Sequence, residues 1–421
     1  MLGQLSRRSL ADLARAAPTP RWGATLPLDD IAGELAITGI GETAVTGPSG
    51  RTPRAMALDA VAAAIADAGL RPADIDGLMV SGHIAEQIGP DDFHTHFGTQ
   101  HPLWFSTEGG AMIWAATCAH RAAQAMRKGI ATHIVNVFAV DWASRRAAGT
   151  GAPGDWHAGE ELKAQLEVPL GWLPQPVYFA TFARRYMHAY GLTETQLATL
   201  PLTFRRHANE HPQAVMRNRE LTLERYLASK PLASPLRKED CCLISDGAAA
   251  WVMSPAERAR YMPQVPAIVD GVGHGCVQGA PYISQQQELT ATPQVFAAPW
   301  AFAMANTSPA EVDVIAVYDC FSSTALMQIE DLGFCRKGDG GSFIQDDRLH
   351  YSRPRQRGGI PCNTHGGLLS HGYLLGASHI VELVKQLRGT AANQVQAAER
   401  AVYAGFTADE ASTLVLSRGA Q

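Results

Sequence analysis

The chain has 421 residues, long enough for two or three ordinary domains or for one large duplicated domain. Hydrophobic residues make up 46% and charged residues 18% of it, which is typical of a globular protein with a large core. The net charge of −5 offers no basic face to nucleic acid or to an anionic membrane, and no apolar run reaches the ~18–20 residues needed to span a bilayer.

Residues 1–32 are predicted to be an N-terminal extension outside the folded domains. The S-R-R-S motif at 6–9 is similar to a twin-arginine export signal, but no continuous apolar stretch follows it. We therefore expect an amphipathic extension and no export.

The seven cysteines are odd in number and include no C-x-x-C spacing. This pattern indicates reduced thiols in a cytoplasmic protein, without a disulfide framework or a structural zinc. His94 and His96 would share one face of an extended segment, but they match no metal-ligand spacing, so no metal site is predicted.

Strands and helices alternate through the first half of the chain. A short apolar strand begins near residue 34, and an alanine-rich helix follows at about 53–68. A turn and a buried strand occupy 72–80, a second helix spans about 110–129, and a strand follows at 132–137. The alternation favours an α/β architecture.

The sequence changes character between about residues 142 and 240. Glycine and proline cluster at 149–154, and two polar segments follow, around 184–188 and 205–212. We interpret 142–240 as an insertion that lies over the core as a lid or binding loop.

The second half repeats the organisation of the first. A helix at about 293–306 precedes P-A-E-V-D-V-I-A-V at 309–317, which matches P-A-D-I-D-G-L-M-V at 72–80. Two such distant copies indicate a duplicated domain rather than a solenoid. We predict one half at 33–265, including the insertion, and the other at 266–421.

Two loops of the second half carry recognisable motifs. V-Y-D-C-F at 317–321 stands where thiolases carry N-E-A-F or H-D-C-F, and N-T-H-G-G-L-L-S-H-G-Y at 363–373 is similar to their G-G…G-H-P loop. With the segments at 185–188, 240–242, 330–335 and 386–389, the chain resembles the lipid-transfer-protein branch of the thiolase superfamily. The resemblance spans about 34–420 and implies an α/β class protein with a duplicated thiolase fold, a layered αβαβα arrangement.

The groups that thiolases use for covalent acyl transfer are missing at the matching positions. Thiolases place a cysteine at a helix start, where helix-end amides lower its pKa, but this chain reads G-G-A-M-I-W at 109–114. Tyr373 replaces the G-H-P histidine, and V-Y-A-G-F at 402–406 lacks the acid–base cysteine. Cys118 lies further into this helix, the second one, at about 110–129, and is predicted to fill the core.

Tyr318 and Tyr373 are the predicted catalytic residues. Their surroundings resemble thiolase-like aldolases that remove side chains from steroid acyl-CoA thioesters. The resemblance implies retro-aldol cleavage of a bulky β-hydroxyacyl-CoA into a ketone or aldehyde and a short acyl-CoA. One tyrosine would take the hydroxyl proton and the other would protonate the α carbon, in an order that the sequence does not decide. The thioester holds the electrons, so no cofactor is expected beyond the coenzyme A of the substrate.

Further candidates lie near these tyrosines in the sequence. His365 is the candidate hydrogen-bond donor to the enolate oxygen, and the backbone amides of Gly366 and Gly367 are candidates for the same oxyanion site. Tyr282 is a candidate third tyrosine.

Two other functions stay open at this stage. One is a thiolase or acyltransferase reaction through Cys320 or another thiol, although the apolar neighbourhood of Cys320 keeps its thiol protonated. The other is a non-catalytic lipid or acyl-CoA carrier. The aldolase resemblance also implies a homodimer and a small OB-fold, zinc-ribbon partner protein, together forming a heterotetramer.

Overall fold

The computed structural model describes residues 20–82, 87–150, 163–280 and 282–420. The export-like motif and most of the predicted N-terminal extension lie outside these residues. Among the described helices, none is both long and apolar enough to cross a membrane.

The described strands form one mixed sheet in the order β4-β3-β5-β6-β2-β7-β10-β9-β8, with β1 also paired to β7. Their bounds are β1 Gly23–Leu26, β2 Leu35–Glu42, β3 Gly77–Ser81, β4 Trp104–Glu108, β5 Ile134–Asp141, β6 Asp246–Pro255, β7 Ala267–Val277, β8 Val314–Val317, β9 Arg400–Phe406 and β10 Glu410–Arg418.

The α-helices follow the sequence pattern closely. In chain order they are α1 Pro53–Asp67, α2 Pro90–Phe97, α3 Ala111–Arg127, α4 Trp142–Ala148, α5 Gln175–Tyr190, α6 Glu194–Glu210, α7 Leu223–Ala228, α8 Ala256–Ala259, α9 Gln294–Met304, α10 Ser322–Asp331, α11 Gly340–Phe343, α12 Gly367–Ser370 and α13 Ala377–Arg388. His94 and His96 lie in α2 and not in an extended segment, because Pro90 starts a helix that the H-x-H spacing does not reveal.

The sheet contains the same strand arrangement twice. β3 runs parallel to β5, which pairs antiparallel with β6, and β6 pairs antiparallel with β2. In the second half β8 runs parallel to β9, and β10 and β7 follow antiparallel. The halves join where β2 meets β7 over two residue pairs. The predicted duplication is therefore confirmed, while the boundary at 265/266 stays a prediction.

The aspartate that recurs in the repeated motif makes the same kind of hydrogen bonds in both halves. Asp76 accepts hydrogen bonds from the two backbone N–H groups that precede β5, at 2.7 and 2.8 Å. Asp313 accepts two at the start of β9, both at 3.0 Å. Since β3 follows Asp76 and β8 follows Asp313, each carboxylate fixes a strand beside its parallel neighbour.

The helices complete the layers. α1 packs on β2, β5 and β6, and α9 packs on β7 and β10. α3 and α13 contact strands of both halves and each other, so they form the central helical layer. The buried side chains of these elements make the core, and the predicted αβαβα arrangement is confirmed.

The segment predicted as an insertion contributes α4 to α7. Its long helices α5 and α6 lie against α10, and α6 also contacts α12. Arg205 and His207, in the stretch that reads as polar, are buried. Arg205 donates to the Ser370 hydroxyl at 3.0 Å and to the Arg219 carbonyl at 3.0 Å, so it joins α6 to α12 and to the following loop.

A buried ion cluster holds α5 against α10. Lys337 Nζ lies 2.6 Å from Asp331 Oδ1 and 3.0 Å from Glu330 Oε2. Glu330 also accepts hydrogen bonds from the Tyr186 hydroxyl and from the Gly340 amide. Burial raises the pKa of Asp331, and Lys337 opposes that rise.

Replacing Lys337 with methionine should lower the free energy of unfolding by about 3–5 kcal/mol, because two buried carboxylates lose their counter-charge. Urea unfolding measures the difference. Arg71→Met is the matched control, since Arg71 forms an exposed pair with Asp74 and the loss should be small. Equal losses in the two variants would contradict a stabilising role for the buried cluster.

Candidate active site

Tyr318 and Tyr373 meet beyond the carboxyl end of β8. Tyr318 directly follows β8, and Tyr373 follows the short helix α12. Their hydroxyl oxygens are 2.9 Å apart, and either one can donate the hydrogen bond. Both side chains are buried, with 3% and 6% of their surface exposed. The structure thus brings together the two tyrosines predicted from the sequence.

Backbone pairing fixes Tyr318. Its N–H donates to the Ala404 carbonyl of β9 at 2.8 Å, and its carbonyl accepts from Gln328 Nε2 at 2.8 Å. The Asn363 side chain pairs with both backbone groups of Val317 at 2.9 Å. Hydrogen bonds to β9, Gln328 and Asn363 therefore fix the end of β8 next to Tyr318.

Tyr373 is held by the loop around it. Its N–H donates to the Ser245 hydroxyl at 3.0 Å, and its ring centroid lies 4.9 Å from that of Trp142. A Cβ at Gly372 would stand 2.1 Å from Val45 Cγ1, so only glycine allows this close approach.

Asp319 connects the two tyrosine-bearing loops. Its carboxylate accepts from the backbone amides of Leu368 and Leu369, at 2.9 and 3.2 Å, and lies 3.2 Å from His379 Nε2. These amides belong to the first turn of α12, where a negative charge is favoured. Asp319 therefore sets the position of the loop that ends in Tyr373 relative to Tyr318. The sequence alone did not reveal this role, although the acid stands next to Tyr318 in the Y-D-C-F motif.

The tyrosine pair is protonated at neutral pH. Burial raises the pKa of both Tyr318 and Tyr373 well above the usual value of about 10. The Cys242 thiol lies beside Tyr373, and burial raises its pKa well above the ordinary range. Burial also raises the pKa of Cys320 to about 12. The pair consequently lies among neutral phenols and thiols.

His365 belongs to a cluster of buried histidines. Its ring centroid lies 4.8 Å from that of His371 and 5.1 Å from that of His379. Burial, followed by its histidine neighbours, lowers the pKa of His365 well below its ordinary value, so the ring is neutral. Neither ring nitrogen has a hydrogen-bond partner among the described residues. An unpartnered buried polar group of this kind is rare in proteins and marks a candidate for a functional role.

The structure gives less direct support for the other predicted site residues. The Gly366 amide donates to the Asn363 carbonyl at 2.8 Å, so it is already used within the loop. Gly367 has a φ of +63° and stands close to Asp319. Tyr282 precedes the 3-10 turn Ile283–Gln285, and no contact between described residues links it to Tyr318 or Tyr373.

A cavity of about 620 Å³ opens beside the Tyr373 loop. Residues 44–47 line it together with residues 212–215 and 217–219. Val45 belongs to this lining and is also the side chain that approaches Gly372. The His371 carbonyl accepts from the Val215 amide of the same lining at 2.9 Å. Arg217 and Arg219 bring positive charge to the cavity.

Known proteins share this architecture. The family described as Thiolase C-terminal domain-like matches residues 275–418. A steroid side-chain-cleaving aldolase from Thermomonospora curvata is 36% identical, with 86% of this chain and 92% of the relative covered. The chain belongs to the thiolase superfamily.

Two further matches point to the same branch of the thiolase superfamily. The 17-hydroxy-3-oxo-4-pregnene-20-carboxyl-CoA lyase of Mycobacterium tuberculosis is 33% identical, covering 92% of this chain and all of the relative. The solved structure of the Ltp2-ChsH2(DUF35) aldolase superposes with a TM-score of 0.82 at 33% identity, covering 93% of this chain and all of that chain.

The position of the thiolase nucleophile is the start of α3. In this thiolase-superfamily chain Gly110 precedes the helix and Ala111 and Met112 begin it. The Met112 carbonyl accepts from the Tyr403 hydroxyl at 2.6 Å, so the C-terminal V-Y-A-G-F segment packs here. Cys118 is fully buried further along α3, as expected of a core residue. The chain therefore has the thiolase scaffold, and no cysteine stands at the start of α3.

Proposed function

We propose that this protein is an acyl-CoA aldolase that cleaves a bulky β-hydroxyacyl-CoA between its α and β carbons. The products are a ketone or aldehyde and a short acyl-CoA. The 2.9 Å contact between the Tyr318 and Tyr373 hydroxyls carries this proposal. It occurs on a thiolase scaffold whose helix α3 begins without a cysteine. The named relatives, an aldolase and a lyase, support a carbon–carbon lyase.

The chemistry requires proton movement and charge stabilisation. A proton leaves the β-hydroxyl as the carbonyl forms, and another proton reaches the α carbon. Tyr318 and Tyr373 are the proposed groups for these two steps, a contribution of about 10²–10⁴-fold. The neutral His365 ring, with both nitrogens unpartnered among the described residues, is the proposed donor to the thioester enolate oxygen.

The cavity beside Tyr373 suits the coenzyme A portion of the substrate. Arg217 and Arg219 are placed to bind phosphates, which guanidinium groups recognise through charged hydrogen bonds. A steroid side-chain thioester is the proposed acyl group because two relatives carry steroid names. Other bulky β-hydroxyacyl-CoAs, aromatic ones included, satisfy the same chemistry.

A panel of β-hydroxyacyl-CoA thioesters tests the function. Steroidal, aromatic and aliphatic members are incubated with the purified protein, with and without a co-expressed partner, and the short acyl-CoA is measured by mass spectrometry. We expect cleavage of a bulky member. The matched control is the β-ketoacyl-CoA with free coenzyme A, which a thiolase cleaves and an aldolase does not. Thiolysis alone, or tight binding without turnover, would overturn the proposal.

No acyl-cysteine should form during turnover. Burial raises the pKa of Cys320 to about 12 and raises that of Cys242 well above its ordinary value, so both remain thiols at neutral pH. Intact-protein mass spectrometry after incubation with acetyl-CoA and with the cleaved substrate should show an unchanged mass. An added acyl group that peptide mapping assigns to Cys320 would instead support the acyltransferase alternative.

We propose that the protein acts as a homodimer with an OB-fold partner. The Ltp2-ChsH2(DUF35) aldolase supports a partner of the DUF35 kind. β4 lies at an open edge of the sheet and Phe105 on it is 40% exposed, which suits pairing with a second copy. Phe105→Glu should convert a dimer to a monomer in light scattering. Tyr261→Glu, at another exposed aromatic, is the control and should leave the dimer intact.

A cytoplasmic location is proposed as well. All seven cysteines are free in the structure. Free thiols are expected where the compartment is reducing.

A further inference from the structure

We infer that Tyr318 and Tyr373 act as one proton relay, so that hydrogen replaces the departing carbon on the same face of the α carbon. This inference rests on the proposed retro-aldol function. It specifies the route of the proton and the stereochemical result, which a pair of independent acid and base groups leaves undetermined.

The distance between the two hydroxyls favours one relay over two independent groups. Burial keeps both phenols protonated at neutral pH, so neither is a ready base. A protonated phenol accepts a proton only if it releases its own. Because the two oxygens are 2.9 Å apart, the released proton passes directly to the other tyrosine.

The step balances without any added reagent. The β-hydroxyl proton moves to the first phenol oxygen, the proton of that phenol moves to the second, and the proton of the second moves to the α carbon. The oxygen–carbon double bond forms as the bond between the α and β carbons breaks. The electron pair of that bond becomes the new carbon–hydrogen bond as the last proton arrives, while the thioester carbonyl shares the developing negative charge. Neither phenol therefore carries two protons at any point. Both tyrosines end protonated, ready for the next substrate.

The distance between the two phenol oxygens determines which face of the α carbon receives the proton. The hydroxyl oxygen and the α carbon share the β carbon, and the accepting phenol lies about 2.7 Å from that oxygen. A phenol that donates from the opposite face would lie about 3 Å from the α carbon, on the side away from the β carbon. The two phenol oxygens would then be separated by roughly 4–5 Å. The observed separation is 2.9 Å. Both phenols therefore lie on the face that the β carbon leaves.

Water is not positioned to compete as the proton donor. Tyr318 is 3% and Tyr373 is 6% exposed, and the ring of Tyr373 packs on Trp142. Neighbouring groups with a transferable proton are the Cys242 and Cys320 thiols, which lie close to both phenols. The experiment must therefore distinguish a tyrosine donor from these thiols.

Stereochemical analysis in D₂O tests the relay. The probe is a 2-methyl-3-hydroxyacyl-CoA with a bulky ring on carbon 3 and a known configuration at carbon 2. Its cleavage yields propionyl-CoA with one deuterium at carbon 2, and we expect retention of configuration. Inversion or a racemic product would overturn the relay while leaving the aldolase function standing. Absence of cleavage would instead remove the function on which the relay rests.

Two controls accompany the stereochemical measurement. Propionyl-CoA incubated with the enzyme in D₂O measures later exchange at carbon 2, which is subtracted. Cys242→Ala and Cys320→Ala should each give the same retained configuration, whatever their rates. A racemic product from either variant would identify that thiol as the donor and overturn the relay.

The number of protons transferred in the cleavage step gives an independent test of the relay. Single-turnover rates are measured in mixtures of H₂O and D₂O. Three protons moving in one step produce a curved dependence on the deuterium fraction, whereas a single transferred proton produces a straight line. Curvature supports the relay, and a straight line overturns it.

Discussion

Replacing Tyr318 with phenylalanine should lower kcat for carbon–carbon cleavage by about 10²–10⁴-fold, and Tyr373→Phe should have a similar effect. Each substitution keeps the buried ring and removes one hydroxyl of the 2.9 Å contact. The remaining hydroxyl loses that partner, which lowers the free energy of unfolding by about 1–3 kcal/mol. Steady-state kinetics and urea unfolding separate the two effects.

The double variant distinguishes one relay from two separate groups. If the tyrosines act as a unit, Tyr318→Phe with Tyr373→Phe should lose no more activity than either single variant. Independent groups would instead multiply their losses. Tyr226→Phe is the matched control, because its buried hydroxyl donates to Asp240 at 2.8 Å and not to either tyrosine of the pair. Full activity in both single variants would end the tyrosine mechanism.

The fold was predictable because its signals are local. Alternating strands and alanine-rich helices are visible in short windows, and the repeated unit at 72–80 and 309–317 reveals the duplication. The joining of the halves is not visible in this way. It depends on pairing between β2 and β7, more than two hundred residues apart, through two residue pairs.

The candidate site shows the same difference between local and long-range signals. Tyr318 and Tyr373 were identified because each stands in a motif of known position. The links that set their separation are long-range contacts, such as Asp319 to the amides of Leu368 and Leu369. No sequence pattern encodes such contacts directly. For the same reason the sequence could not reveal that His365 lies among other buried histidines, since these come together only through packing.

Positioning by Asp319 leads to a prediction for Gly367, the first residue of α12. Gly367→Ala should lower both the stability of the protein and kcat. The backbone there has a φ of +63°, and a Cβ would stand 2.1 Å from Asp319 Oδ2. Left-handed strain costs about 1–3 kcal/mol, and the overpacking adds about 1–3 kcal/mol.

The activity should fall because the Asp319 carboxylate must move to make room for the methyl group. That movement weakens its hydrogen bonds to the first turn of α12 and shifts Tyr373 relative to Tyr318, and displacements of about 1 Å can cost about 10²-fold in rate. Gly389→Ala is the matched control. Gly389 has a φ of +78°, but a Cβ added there would meet no described atom within 4 Å, so this variant reports the backbone strain alone. Gly389→Ala should therefore retain kcat, and a Gly367→Ala enzyme with the same stability and kcat as this control would contradict the positioning role of Asp319.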